Sequence, residues 1–151
     1  MAHTLTFIFI GLLAFSTIIR FWLGRRQISH VQANRNEVPA AFTQNIALDA
    51  HQKAADYSTA KTSLGLSEML VQALLLLVFT LGGGLQWIDT VWTTIVPNHE
   101  ILRGSLVICS ALLISSLIDL PFDYYKTFVV DERFGFNKMT RQMFFMDLIK
   151  H

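Results

Sequence analysis

Three stretches of this chain are apolar for long enough to cross a membrane. They cover residues 4–23, 66–88 and 101–120, and the second contains the run Met69–Ile88, which holds no charged residue. A membrane-spanning helix needs about 20 mostly apolar residues, because the hydrocarbon core of a bilayer is about 30 Å thick. The pattern therefore predicts an all-α integral membrane helical bundle with three transmembrane helices.

Two polar segments have patterns of their own. In residues 40–61, apolar side chains recur at helical spacing after Pro39, a residue suited to a first helical turn. This predicts an amphipathic cytoplasmic helix that can continue into the second span. Residues 121–140 form a connector in which aromatic and charged residues alternate.

The connector is expected to begin and end at recognisable residues. Pro121 is predicted to end the third span. Gly135 lies between two phenylalanines and indicates a tight bend. Thr140 can cap a further helix over residues 141–151, the start of a fourth span that the sequence leaves unfinished at His151.

Composition agrees with a membrane protein. Apolar residues make up 52% of the chain, charged residues only 15%, and the mean hydropathy is +0.43, whereas soluble domains carry about 25% charge. The expected partner is therefore the lipid bilayer, and the uncharged run in the second span argues against a soluble all-α protein. The formal net charge of +1 lacks the basic face that nucleic-acid binding requires, so no nucleic-acid partner is expected.

The basic residues predict the orientation of the chain. Five Lys or Arg residues lie in residues 24–64 and five follow Asp119, whereas residues 89–100 contain none. Since Lys and Arg collect on the cytoplasmic side, the N-terminus is expected outside and the C-terminal end in the cytoplasm. The basic residues follow the first apolar stretch, which favours a retained anchor over a cleaved signal peptide.

The sequence offers little catalytic or metal-binding chemistry. Its five histidines form no His-x-x-x-His pair, and the single cysteine, Cys109, excludes a Cys-x-x-Cys motif. The charged residues around His51 and Asp56 are typical of a solvated helix face. No catalytic or metal-ligating residue is therefore predicted in this chain.

Two groups of residues remain as candidates for function. Polar residues near the bundle interior, which belong to either a polar intramembrane cavity or solvated span ends, are Gln72, Ser115, Ser116 and Asp119. Connector residues, which form either a surface for another domain or an aromatic belt at the membrane interface, are Tyr125, Phe128, Glu132, Arg133, Phe134, Gly135, Phe136 and Asn137.

Two stretches carry a resemblance to a known family. Residues 51–61 read HQKAADYSTAK, and residues 125–140 read YKTFVVDERFGFNKMT. Both resemble the N-terminal region of type I CAAX prenyl proteases, which are integral-membrane zinc metallopeptidases. The sequence of the two stretches looks closer to that of the bacterial members. The family's His-Glu-x-x-His motif does not occur in this sequence. The resemblance therefore implies a chain that ends before the catalytic motif, with zinc in the missing part.

The resemblance implies that the membrane region and the catalytic domain of one protein have different roles. This chain would anchor the protein, line an intramembrane chamber and dock the C-terminal catalytic domain, and a bacterial inner membrane is its expected location. Only with that domain would it contribute to cleaving C-terminal CAAX-type or other membrane-associated peptides; alone, it is expected to be inactive. The alternative is a standalone three-helix membrane protein that serves as a partner-binding scaffold.

Overall fold

The structure, a computed structural model, describes residues 2–40 and 42–150, and they confirm the all-α class. The helices are α1 Ala2–Ala33, α2 Leu48–Thr80, α3 Gly84–Ile95, α4 Glu100–Tyr125, a π-helical segment Lys126–Asp131 that continues α4, and α5 Arg141–Lys150. Within the described residues, three helical stretches are long and apolar enough to cross a membrane: His3–Ala33, Leu48–Thr80 and Glu100–Asp131.

Helices α1 and α2 form a long antiparallel pair. With 32 and 33 residues, each is about 50 Å long at 1.5 Å per residue, so each exceeds a hydrocarbon core of about 30 Å. Gly24 of α1 lies so close to α2 that a Cβ atom added there would be 2.7 Å from Leu66 Cδ2. The polar ends of both helices therefore extend beyond the apolar segments as a packed pair.

The boundaries of the first two spans differ from the prediction. Helix α1 runs ten residues past Leu23, because no proline interrupts it and Gly24 fits against α2. The amphipathic helix predicted over 40–61 begins at Leu48 and continues without a break into the second span; Ala41 lies outside the described residues.

Helix α2 ends at Thr80, before the predicted limit of residue 88, in a glycine-rich turn. Gly83 has a φ of +75°, a conformation that glycine adopts without steric cost. Helix α3 then packs on α4, where the Trp92 indole N–H donates to Ser110 Oγ at 2.9 Å. Asp89 and Arg103 form an ion pair at 3.1 Å beside this contact. The two short-range contacts fix the hairpin at the end of the bundle opposite the connector.

The prediction that Pro121 ends the third span is wrong. Pro121 lies inside α4, which continues through the π-helical segment as far as Arg133. Proline removes one backbone donor, but membrane helices tolerate it because neighbouring helices and local π-helical adjustments satisfy the freed groups. The first half of the predicted connector is thus a helical extension that lies antiparallel to α2.

The bend predicted at Gly135 is confirmed. Its φ is +72°, its N–H donates to Glu132 O at 2.9 Å, and the Phe136 N–H donates to Asp131 O at 2.8 Å. This pair of bonds is the Schellman arrangement that ends helices at a glycine. Helix α5 then begins where predicted, since the Met143 N–H donates to Thr140 Oγ1 at 3.2 Å. His151 lies outside the described residues.

The best-packed part of the described chain lies away from the apolar spans. Only four described side chains are buried: Ala55, Ile88, Val130 and Phe134. Three of them lie where the polar half of α2 meets the connector, whereas most large apolar side chains in the spans are exposed. The contact between α2 and the connector is therefore the main packed contact that stabilises the fold outside the apolar spans.

Candidate functional site

The contact between α2 and the connector joins the two stretches that carry the family resemblance. We call it the α2–connector junction and define it by Lys53, Tyr57, Asp131, Phe134 and Phe136. The Tyr57 hydroxyl donates to Asp131 Oδ1 at 2.9 Å. The Tyr57 ring centroid lies 5.5 Å from that of Phe134 and 4.7 Å from that of Phe136. Two stretches far apart in sequence thus meet through one tyrosine.

Charges reinforce the aromatic contacts of the junction. Lys53 Nζ lies 5.6 Å from the centroid of the Phe136 ring, within the range of a cation–π interaction. The hydrogen bond to Asp131, burial and the negative charge of Asp131 together raise the pKa of Tyr57, which lies on the polar half of α2. Tyr57 therefore keeps its proton at neutral pH and acts as a fixed donor to the connector.

Another face of the polar half of α2 packs on the segment that follows α1. The Arg35 guanidinium donates to both carboxylate oxygens of Asp56, at 2.7 and 2.8 Å. His51 Nε2 donates to the backbone carbonyl of Asn34 at 3.1 Å. This segment thus covers part of the face around His51 and Asp56, and the face stays partly solvated, since the Asp56 side chain is 37% exposed. The Arg35 hydrogen bonds lower the pKa of the Asp56 carboxyl.

The eight predicted connector residues do not form one surface. At the junction, Phe134 is only 8% exposed, whereas Phe136 is 51% exposed. The Glu132 carboxylate accepts a hydrogen bond from the Asn137 amide at 2.7 Å, and the Arg133 guanidinium lies 5.7 Å from the Phe134 ring. The outer side of the bend is formed by Glu132, Arg133, Gly135, Phe136 and Asn137.

Phe128 and Tyr125 lie elsewhere. The Phe128 ring packs 4.8 Å from Tyr124 and 5.5 Å from Phe144 of α5, which forms a second aromatic cluster. Tyr125 is exposed and lines a groove with Leu64. The sequence pattern does not separate these two residues from the bend, because aromatic and charged residues alternate along the whole connector.

Replacing Gly135 should weaken the bend. A residue with a Cβ pays about 1–2 kcal/mol in the left-handed conformation, so we expect Gly135→Ala to lower the free energy of unfolding by that amount. Gly11→Ala is the matched control, because Gly11 is helical and a Cβ there meets open space. Thermal unfolding of the intact protein in detergent measures both; equal melting temperatures for the two variants would contradict the assignment.

Two of the four predicted intramembrane polar residues meet across helices. The Gln72 amide of α2 donates to Asp119 Oδ1 of α4. Ser115 instead donates to the carbonyl of Ala111 in its own helix at 2.9 Å, and Ser116 is exposed. The interhelical pair therefore ties α2 to α4, and the two serines lie outside it.

Gln72 also lines a polar cleft between α1 and α2. The cleft has a volume of about 580 Å³, and its polar lining consists of Ser16, Thr17, Arg20, Glu68 and Gln72. A guanidinium, a carboxylate and an amide side by side offer donors and acceptors for water or for a peptide backbone. Arg20 was not among the predicted site residues, because one charge at a span end gives no sign of what the side chain faces.

Removing the Gln72 amide alone should lower the free energy of unfolding more than removing both Gln72 and its partner Asp119. An interhelical hydrogen bond in a membrane contributes about 0.6 kcal/mol on average, and an unpaired buried partner costs more. We expect Gln72→Leu to destabilise the intact protein by about 1–2 kcal/mol, and Gln72→Leu with Asp119→Leu to recover part of that loss. Thermal unfolding in detergent tests this, with Ser116→Ala as a neutral control; a double variant less stable than Gln72→Leu would refute the pairing.

No metal centre is found in the part of the chain that the structure describes. Within residues 2–40 and 42–150, no three His, Cys, Asp or Glu residues lie close enough together to hold a metal ion. The junction and the cleft offer apolar contacts, hydrogen bonds and charges.

Comparison with known proteins identifies the family. The model of the family described as CAAX prenyl protease N-terminal, five membrane helices, matches residues 27–151. The chain belongs to this family. The resemblance inferred from residues 51–61 and 125–140 is thereby confirmed.

Curated relatives align with this CAAX prenyl protease N-terminal region over all or part of its length. It is 29% identical over 155 residues to the CAAX prenyl protease 1 homolog of Mus musculus, covering 95% of this chain and 32% of the relative. With CAAX prenyl protease 1 of Saccharomyces cerevisiae it shares 43% identity over 58 residues, 36% of this chain and 13% of the relative. The chain spans about a third of the length of the first of these relatives.

A solved structure confirms the fold of the N-terminal region. The crystal structure of S. mikatae Ste24p superposes with a TM-score of 0.82 at 24% identity, covering 93% of this chain and 33% of that chain. At this identity the match shows the fold alone. The fold of this chain is therefore one that another solved protein contains.

Proposed function

We propose that this chain is the membrane-anchoring and docking part of a zinc peptidase that cleaves C-terminal CAAX-type or other membrane-associated peptides. The observation that carries the proposal is the α2–connector junction, where Tyr57 binds Asp131 and packs on Phe134. Family membership and the share of the relatives that the chain covers add support.

Docking is supported by the way the junction holds the bend. A belt of aromatic residues at a membrane interface needs no fixed backbone. Here the backbone is fixed by the bonds around Gly135, and Phe134 is anchored against α2. The side chains of Glu132, Arg133 and Phe136 remain exposed on the outer side. A rigid apolar and charged surface of this kind suits contact with another domain of the same protein.

A role in lining a chamber is supported by the polar cleft between α1 and α2. Ionisable residues within membrane helices usually face a bundle interior or a water-filled cavity. Arg20 and Glu68 both line the cleft, and Gln72 links it to Asp119. We place the peptide or its hydrating water along this wall, and Ser115 and Ser116 outside it.

Zinc would come from a part of the protein beyond this chain. The residues described here do not fit a zinc site, so no chemical step through the metal is assigned to them. In peptidases of this kind, bound zinc activates a water molecule. The standalone scaffold is not favoured by the comparisons, because the chain matches a CAAX prenyl protease N-terminal family and covers only about a third of the length of longer relatives.

The orientation of the chain across the membrane stays a prediction from the basic residues. Arg25, Arg26 and Arg35 lie at the same end of the bundle as the connector, which supports an N-terminus outside and a cytoplasmic junction. The bacterial inner membrane also stays a prediction, since the relatives named above are eukaryotic.

Native mass spectrometry of the intact protein from its own membrane tests the proposal. We expect a mass well above the 17.1 kDa of this chain, with bound zinc, and hydrolysis of a prenylated CAAX peptide that a chelator abolishes. The chain expressed alone should bind no zinc and hydrolyse nothing. A native protein of 17.1 kDa without zinc would overturn the proposal and favour the scaffold.

A further inference from the structure

An apolar groove follows the seam between α1 and α2 on the face turned away from Arg20. Its first part, of about 440 Å³, is lined by Thr17, Ile18, Phe21, Trp22, Arg25 and Leu70. A second part, of about 310 Å³, shares Thr17, Ile18 and Leu70 with the first and continues to Ile10. The two parts form one continuous groove along α1.

The length of the groove matches one leaflet of a bilayer. From Ile10 to Arg25 the helix rises about 22 Å at 1.5 Å per residue. One leaflet, including its headgroup region, is about 20–22 Å thick. An occupant with an apolar chain one leaflet long and a polar end at Arg25 would fill it.

The polar end of the groove is cationic and lacks a neutralising carboxylate. Arg25 lines its mouth, and the Arg26 guanidinium lies 5.6 Å from the ring of Trp22 in the groove wall. Residues 2–33 contain no Asp or Glu, and neither does the lining of the groove. Trp22 is 58% exposed, at the level where tryptophan rings favour lipid headgroups.

We propose that this groove binds an anionic phospholipid, with one acyl chain along the α1–α2 seam and the phosphate at Arg25 and Arg26. Charge complementarity selects an anionic headgroup, because juxtamembrane Lys and Arg residues attract anionic lipids. The cleft lined by Arg20 lacks this selectivity, since Glu68 offsets the arginine there. The lipid site does not depend on the proposed peptidase function.

The test is lipid retention by the intact protein in nanodiscs made of equal parts phosphatidylglycerol and phosphatidylcholine. After transfer to detergent, mass spectrometry counts each lipid that stays bound. We expect phosphatidylglycerol to be enriched on the wild-type protein. Arg25→Gln and Arg26→Gln should each reduce the bound phosphatidylglycerol by about fivefold.

Two further variants separate the groove from general charge attraction. Ile18→Trp fills the groove without changing charge, and Ile18 is 68% exposed, so the fold should tolerate it; it should also displace the lipid. Arg20→Gln is the matched control, since it removes the same charge about 140° around the helix from Arg25 and should retain the lipid. Equal losses in Arg20→Gln and Arg25→Gln would overturn the proposal. So would equal retention of the two lipids by the wild type, or lipid binding unaffected by Ile18→Trp.

Discussion

Replacing Phe134 with alanine should reduce peptide hydrolysis by the intact protein by more than about tenfold. Phe134 is 8% exposed and packs on Tyr57. Truncating a buried phenylalanine costs about 3–5 kcal/mol, and about 1.4 kcal/mol is already a tenfold change in an equilibrium. The connector should therefore leave its position on α2 in a large fraction of molecules, and the docked arrangement should be lost with it.

The control for this variant is Phe7→Ala. Phe7 lies in the first span and is 73% exposed, so its truncation leaves no cavity in the bundle and should leave hydrolysis unchanged. Hydrolysis is compared at equal amounts of folded, membrane-inserted protein, verified by gel filtration in detergent. If Phe134→Ala retained full hydrolysis while folded, the connector would have no part in positioning the catalytic domain.

Two substitutions of Tyr57 should separate the contribution of its ring from the contribution of its hydroxyl group. Tyr57→Phe keeps the contacts with Phe134 and Phe136 and loses only the hydrogen bond to Asp131, which should cost about 1 kcal/mol. Tyr57→Ala loses the ring as well, and hydrolysis should fall by about as much as in Phe134→Ala. Hydrolysis rates and thermal unfolding of both variants measure the two contributions.

A double-mutant cycle tests whether the hydroxyl acts through Asp131. The donor and acceptor lie 2.9 Å apart, so Tyr57→Phe and Asp131→Asn should be strongly non-additive. The double variant should be about as active and as stable as either single variant. Additive losses would mean that Tyr57 and Asp131 contribute through separate contacts.

Most of the fold follows from the sequence because the bilayer imposes it. Long apolar stretches have no stable conformation in lipid other than helix or closed barrel, and each of the three predicted spans overlaps a described helix that is long and apolar enough to cross a membrane. The errors fall where polar segments continue as helix: beyond Leu23, where α1 pairs with α2, and beyond Pro121, where α4 continues into a π-helical segment. Hydropathy measures how long an apolar stretch is, and it carries no information about a helix that leaves the membrane and keeps packing.

The candidate site was only partly predictable for a related reason. The bend at Gly135 has a local signal, since glycine between two phenylalanines marks a helix end. The anchoring partners Tyr57, Asp131 and Arg35 have none, because each depends on a contact between segments that lie far apart in the sequence. The pairing of Gln72 with Asp119 likewise depends on how α2 and α4 are rotated about their axes. Polarity alone does not distinguish these two residues from Ser115 and Ser116.

The central claim, that the bend docks a catalytic domain of the same protein, is tested most directly by photo-crosslinking. A photoreactive phenylalanine analogue at Phe136, which is 51% exposed, is activated in the intact protein in its membrane, with the analogue at Ile101, 89% exposed at the far end of the bundle, as the reference. The account predicts that Phe136 crosslinks within the same protein to the region carrying His-Glu-x-x-His, and that Ile101 does not. Crosslinks from Phe136 to lipid alone, or the same products from both positions, would contradict it.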